Sequence, residues 1–207
     1  MAPVKAMRTT RTPRRSAKAD QEVISFADAP AWSRWLASHH GSSSGVWLKL
    51  AKKGSKLASV TYAEALDIAL CHGWIDSQVK SYDALSYLQR FSPRRARSVW
   101  SKLNTGHVER LIRTGRMKPA GQRQIDAAKA DGRWAAAYVS GRGAVLPDDF
   151  LQAVARNAKA KRFLATLNRH NLYAVIYRLQ TAKRPETRTR RIQTFVARLA
   201  KGEKFHP

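Results

Sequence analysis

The stretch VWLKLAK, Val46 to Lys52, sets Val46, Leu48 and Leu50 against Trp47, Lys49 and Ala51. That period of two predicts a strand with one apolar face. WIDSQVK (Trp74 to Lys80) and ALSYLQRF (Ala84 to Phe91) predict two more, joined through Ser81-Tyr82-Asp83. Between and before them the period lengthens. Trp32, Trp35, Leu36 and His39 share one helical face behind Asp28, a good N-cap, and Pro30, and Gly41 supplies a stop. GSSSG (Gly41 to Gly45) and Lys53 to Lys56 read as loops. Thr61-Tyr62-Ala63-Glu64 is a capping box, and Tyr62, Ala65, Leu66, Ala69 and Leu70 form the apolar stripe of a helix that Gly73 can end.

After Phe91 the helical period takes over. Ser92-Pro93 has the form of a helix start, Ser as N-cap and Pro at the first helical position, with Ser98 to Leu103 continuing or restarting that helix. Val108, Leu111 and Ile112 mark a helix stopped by Gly115, and Pro119 to Ala130 another stopped at Gly132. Ser140 to Val145, SGRGAV, is the clearest linker. Beyond it come four apolar clusters at helical spacing: Phe150, Leu151 and Val154; Phe163, Leu164 and Leu167; Leu172, Val175, Ile176 and Leu179; then Ile192, Phe195, Val196 and Leu199. The pattern predicts an α+β protein: a small antiparallel sheet of about three strands with flanking helices, followed by a C-terminal four-helix module. The expected organisation is an arm at 1–20, an α+β domain at 21–143 and a helical module at 146–204.

Charge changes this picture most. Thirty-nine Lys and Arg against fourteen Asp and Glu give 207 residues a net +25. Such a balance predicts attraction to polyanions, nucleic acid above all, although a basic surface without a dedicated partner has the same composition. The first 20 residues carry Lys5, Arg8, Arg11, Arg14, Arg15 and Lys18 against Asp20 and lack apolar periodicity, so a disordered basic arm is expected. Arg14-Arg15 is followed by no apolar h-region, which argues against export, while the arm's shortage of acids also resembles a transit peptide. No apolar run reaches the length of a membrane span. The single Cys71 cannot form an intramolecular disulfide and fits a reducing compartment. A cytoplasmic protein is expected.

Candidate chemistry centres on QRFSPRRARSVW. A helix start is partially positive, and each cation in an exposed first turn costs about 0.3–1 kcal/mol. Arg94, Arg95 and Arg97 behind a Ser92 cap therefore call for neutralisation, either by a bound anion or by the chain's own carboxylates. The anion-binding set on the first reading is Arg90, Ser92, Arg94, Arg95, Arg97 and Lys102; the second reading pairs the arginines with Asp76, Asp83, Asp126 or Asp131. Trp100 is expected in the core. A pocket between sheet and helices would bring Asp76, Trp74 and Trp100 beside these cations. AKRPETRTRRIQ places Arg184, Arg188 and Arg191 at i, i+4 and i+7, a cationic stripe that is either a second binding surface or a solvated helix back.

Signatures of catalysis are thin. Cys71 and His72 are sequence neighbours, which point about 100° apart on a helix, and Cys71 sits in an apolar stretch. His39-His40 has no further ligands at metal spacing, and Gly141-Arg142-Gly143 is not a phosphate loop. No cofactor, metal or catalytic residue is assigned, and the reading leans against an enzyme.

Taken together, GVWLKLAKK, TYAEALDIALCHGWIDSQVK, QRFSPRRARSVWSKLN, LIRTGRMKPAG, AKADGRW and AKRPETRTRRI resemble the bacterial YdeI/OmpD-associated, or bacteriocin-protection, family from about Phe26 to the C-terminus. The resemblance implies a link to envelope stress or resistance to bacteriocins and brings no catalytic residues with it. Two functions follow. One is a non-catalytic polyanion-binding protein, with nucleic acid as partner. The other is an enzyme or receptor for a small anionic ligand held between sheet and helices.

Overall fold

The computed structural model describes residues 22–206; the basic arm lies outside them. The chain divides into two compact units. Among the described residues, one comprises 22–69 together with Trp74–Pro93, the other Leu70–Gly73 together with 94–206.

The first unit is a four-stranded sheet with helices. Its elements are β1 (Val23–Ser25), α1 (Ala29–His39), β2 (Val46–Ala51), α2 (Tyr62–Cys71, whose last turn belongs to the other unit), β3 (Trp74–Ser81) and β4 (Ser86–Pro93), with strand order β1-β2-β4-β3. β2–β4 and β4–β3 are antiparallel as the alternation implies, but β1 is an additional strand, parallel to β2. Three residues are too few to show a period, so β1 was invisible to pattern reading. Trp47 was expected on the polar face of β2, yet it is buried: the Lys80 ammonium lies 4.3 Å from its ring centre and covers it.

Indole rings make the core of this unit. Asp28 caps α1 by accepting from the Ala31 N–H at 2.8 Å, and Trp32 and Leu36 turn inward behind it. Trp32 stacks on Trp35 at 5.4 Å and meets Trp74 edge-on at 6.5 Å. The indole N–H groups of Trp32 and Trp74 find carbonyls, Trp32 donating to Ala65 O and Trp74 to His40 O. That satisfaction is what permits such large polar-edged rings in a core. The Thr61–Glu64 capping box forms in both directions, Thr61 N donating to Glu64 Oε2 and Glu64 N to Thr61 Oγ1.

The helix expected at Ser92 does not start there. Ser92 pairs with Ile75 and Pro93 with Trp74 as the last residues of β4. Pairing with β3 satisfies the backbone of Ser92, and a proline lacking its N–H is tolerated at a strand end. The chain then turns at 95–98 and becomes helical only at α3 (Lys102–Arg113), capped by Ser101, whose hydroxyl accepts from Asn104 N at 3.2 Å.

The second unit is helical. After α3 come α4 (Pro119–Ala130), a single 3₁₀ turn at Gly141–Gly143, and α5 (Asp148–Ala155), α6 (Ala158–Leu164), α7 (Arg169–Gln180) and α8 (Pro185–Ala200). Phe150, Val154, Val175, Leu179, Phe195 and Leu199 lead the core shared by α5–α8, and Phe205, beyond α8, folds back into it. α4 approaches the Leu70–Gly73 segment so closely that a Cβ on Gly121 would stand 2.4 Å from Cys71 O.

Candidate functional site

The arginines of QRFSPRRARSVW divide by burial. Arg90, on β4, is buried; its guanidinium donates to Phe91 O at 2.7 Å and Ser44 O at 3.2 Å, and desolvation holds its pKa below the ordinary arginine value. It lies against Gly45, where a Cβ would come within 2.3 Å of Nη1 and where φ is +120°. Glycine at 45 is thus the space in which Arg90 lies. Asp76, on β3, accepts from the Tyr62 hydroxyl at 2.8 Å, and burial together with that carboxylate pushes the Tyr62 pKa up. Trp74 is a core residue.

In the other unit, Arg94 is buried and stacked on Trp100, its guanidinium carbon 3.7 Å from the ring centre, while Nη2 donates to Val99 O at 2.7 Å. Trp100 is itself buried and packs on Trp134 at 5.1 Å; its indole N–H has no partner among the described residues. Arg133, also buried, reaches from the far side of the turn. Its Nε contacts both Asp131 oxygens at 2.7–2.8 Å, and its Nη1 donates to Ser98 O at 2.9 Å. Ser98 closes the turn, its hydroxyl accepting from Arg95 N at 3.0 Å and its own N–H donating to Arg95 O at 2.9 Å. Two inward guanidiniums therefore hold the carbonyls of a short turn. Arg95 and Arg97 project from that turn into solvent, and exposed Lys102 opens α3 just after it.

The acids proposed as internal counter-charges have other uses. Asp83 pairs with Lys49 at 3.2 Å and caps Leu85 and Ser86, which draws its pKa down to about 2, chiefly through the Ser86 hydroxyl. Asp126 accepts from Gln122, and Asp131 holds Arg133.

The stripe at 184, 188 and 191 is likewise divided. Arg184 is the exposed N-cap residue of α8. Arg188 makes a two-pronged pair with Asp149 at 2.7 and 2.8 Å and also donates to Leu179 O at 2.8 Å. Arg191 donates to Arg178 O. Of the three, Arg184 faces outward, and the two inner arginines serve α5–α7–α8 packing.

A cationic hollow that the sequence reading did not single out lies at the α6–α8 junction. It has a volume of about 440 Å³ and is lined by Lys159, Arg162, Phe163, Thr166, Leu199 and Lys201, with Gly202 at its edge. Lys159 and Arg162 stand at i and i+3 on α6, a spacing visible in AKAKRF; Lys201 joins them only through the fold. Among the described residues, no cluster of His, Cys, Asp and Glu is arranged to hold a metal ion, and no helix is long and apolar enough to cross a membrane.

A tryptophan-cored α+β unit joined to a helical unit with an outward-facing cationic surface defines a basic two-unit protein. Residues 144–202 match the family described as bacteriocin-protection, YdeI or OmpD-associated, and residues 24–124 match a domain of unknown function, DUF8412. The similarity to the YdeI/OmpD-associated family is thus a property of the C-terminal helical module. The resemblance expected from Phe26 onward thus falls into two parts, with that family carried by α5–α8. No curated protein and no solved structure matches the chain.

Proposed function

We propose that this protein is a non-catalytic, cytoplasmic binder of polyanions, with nucleic acid as its partner, and that this binding serves a role in stress or in the bacteriocin protection named by the family that its C-terminal module matches. The observation that carries the reading is the turn at 95–98. Its inner arginines, Arg94 and Arg133, are engaged with backbone carbonyls, and its outer pair, Arg95 and Arg97, face solvent beside Lys102. A turn whose backbone is held suits phosphate contact, because little backbone freedom remains to be lost when its guanidiniums engage. The net charge of +25, of which the arm supplies only a small part, supports attraction to the partner at long range. Exposed Lys118 at the start of α4, Arg123 and Lys129 on it, and the Lys159–Arg162–Lys201 hollow extend the cationic surface within the same unit.

The test is fluorescence anisotropy with a labelled 30-base-pair duplex and a single-stranded RNA of the same length, across a salt series. Log affinity should fall linearly with log salt, with a slope of roughly −0.9 per phosphate neutralised on the duplex. Replacing Arg95 and Arg97 by Ala should shallow that slope by about one to two. Removal of residues 1–20 serves as the parallel arm: if it alone abolishes binding, the turn is not the interface. Binding too weak to measure at low salt, or insensitive to salt, defeats the proposal.

A further inference from the structure

The α5–α7 face of the C-terminal module carries an apolar trough. Two hollows of about 350 and 470 Å³ adjoin, sharing Leu146, Leu151 and Leu172 as common walls. One extends to Ile176 and includes Arg169; the other extends to Leu164 and includes Lys161. The trough is therefore apolar along its length with one cation in each half, and no carboxylate lines either part. Leu151 is 41% exposed and Val145, on the rim, 72%. A continuous apolar strip of this kind between helices marks a place where something docks.

We infer that this trough receives an amphipathic helix of a partner protein, with apolar residues at i, i+3/i+4 and i+7 and carboxylates at both ends. Helices α5, α6 and α7 form most of the walls and the 141–146 segment the rest, so a helix laid along them buries its apolar stripe there. The two separated cations select the charge: a segment acidic at both ends answers Lys161 and Arg169 together, whereas an acyl chain with one head group answers only one. The same argument excludes the chain's own arm, with six cations against Asp20, and disfavours a second copy of a protein carrying +25. This inference is independent of nucleic-acid binding.

The probe is a labelled 20-residue peptide with leucines at i, i+3, i+4 and i+7 and two glutamates at each end, titrated with the full chain. Leu151→Glu, at an exposed position where folding is expected to persist, should weaken binding about tenfold or more. The double variant Lys161→Glu/Arg169→Glu should lose the glutamate-ended peptide and gain affinity for its lysine-ended counterpart, a swap that mere unfolding cannot produce. Circular dichroism establishes folding of each variant. Equal binding of a glutamate-ended peptide with glutamines in place of its leucines would mean nonspecific attraction and overturn the inference. So would the absence of binding by the leucine peptide, or occupation of the trough by oleate in its place.

Discussion

The guanidinium carbon of Arg94 stands 3.7 Å from the centre of the Trp100 ring, and both residues are buried. Its neighbour Arg95 faces solvent. Adjacent arginines thus differ in kind: one holds the turn from inside, and the other presents its guanidinium to solvent. Arg94→Ala removes the stacked cation and the hydrogen bond to Val99 O, and should lower stability by about 1–3 kcal/mol in urea unfolding. Arg95→Ala/Arg97→Ala should leave the unfolding midpoint in place and lower nucleic-acid affinity at low salt. The two readouts separate cleanly if the division is real; a destabilised double variant, or an Arg94→Ala protein of unchanged stability, contradicts it.

Asp149 and Arg188 link α5 to α8, and the pair is only partly buried, with side-chain exposures of 48% and 31%. The hydrogen bonds from Arg188 hold the Asp149 pKa below its ordinary value. A carboxyl with a lowered folded pKa adds stability above the unfolded pKa, about 3.9, and loses it as pH falls through the folded value. Solvent screening keeps the pair's worth to about 1 kcal/mol or less. Asp149→Asn should therefore be less stable than the parent at pH 7, and the gap should narrow as pH drops below about 4. A gap of constant size from pH 7 to pH 3 in thermal melts would place the effect in packing, which does not titrate.

Much of the fold was legible because its signals are local. The Asp28 cap, the Thr61–Glu64 capping box and the limits of α4 at Pro119 and Ala130 each depend on side chains and backbone within four residues. The site was legible only in composition. Ser92-Pro93 has the local chemistry of a helix start, but pairing with Ile75 and Trp74, some 17–19 positions back, decided its conformation. Arg90 and Arg94 carry the same charge as Arg95 and Arg97, and their different fates rest on contacts with Ser44, Gly45, Val99 and Trp100 that no spacing encodes. The hollow at Lys159, Arg162 and Lys201 joins residues separated by a whole pair of helices. The apolar trough is assembled from three helices and the segment that precedes them, and was equally out of reach of a pattern read one helix at a time.

Gly121 is buried in α4 against the end of α2. A Cβ there would lie 2.4 Å from Cys71 O and 2.7 Å from Leu70 O, both backbone atoms that cannot swing aside. In an exposed helix, Gly→Ala adds stability of about 1 kcal/mol. At 121 the sign should reverse: Gly121→Ala forces α4 away from the Leu70–Gly73 segment, an overpacking cost of about 1–3 kcal/mol. Gly106, in α3 with open space around its Cβ position, is the internal control. Calorimetry should show Gly106→Ala stabilised and Gly121→Ala destabilised. A stabilised Gly121→Ala would mean that the close approach of α4 does not exist in solution.

Asn171, in α7, fixes the end of the chain. Its side chain is buried, and its Oδ1 accepts from the backbone N–H groups of Phe205 at 2.7 Å and His206 at 2.8 Å, while Nδ2 donates to Asn168 Oδ1 at 3.0 Å. Those acceptor bonds bring Phe205 over Phe195, ring centres 5.1 Å apart, and close the core of α5–α8. Asn171→Ala leaves two backbone donors without their acceptor beside a core ring, a loss of about 1–3 kcal/mol. Because both lost bonds lie in the tail, the loss should appear first as local opening rather than as global unfolding. Amide exchange at Phe205 and His206 should accelerate in Asn171→Ala while the amides of Val175 and Leu179 keep their protection. If protection falls equally at all four, Asn171 supports the whole module rather than its tail; if it falls nowhere, the carboxamide does not hold the tail at all.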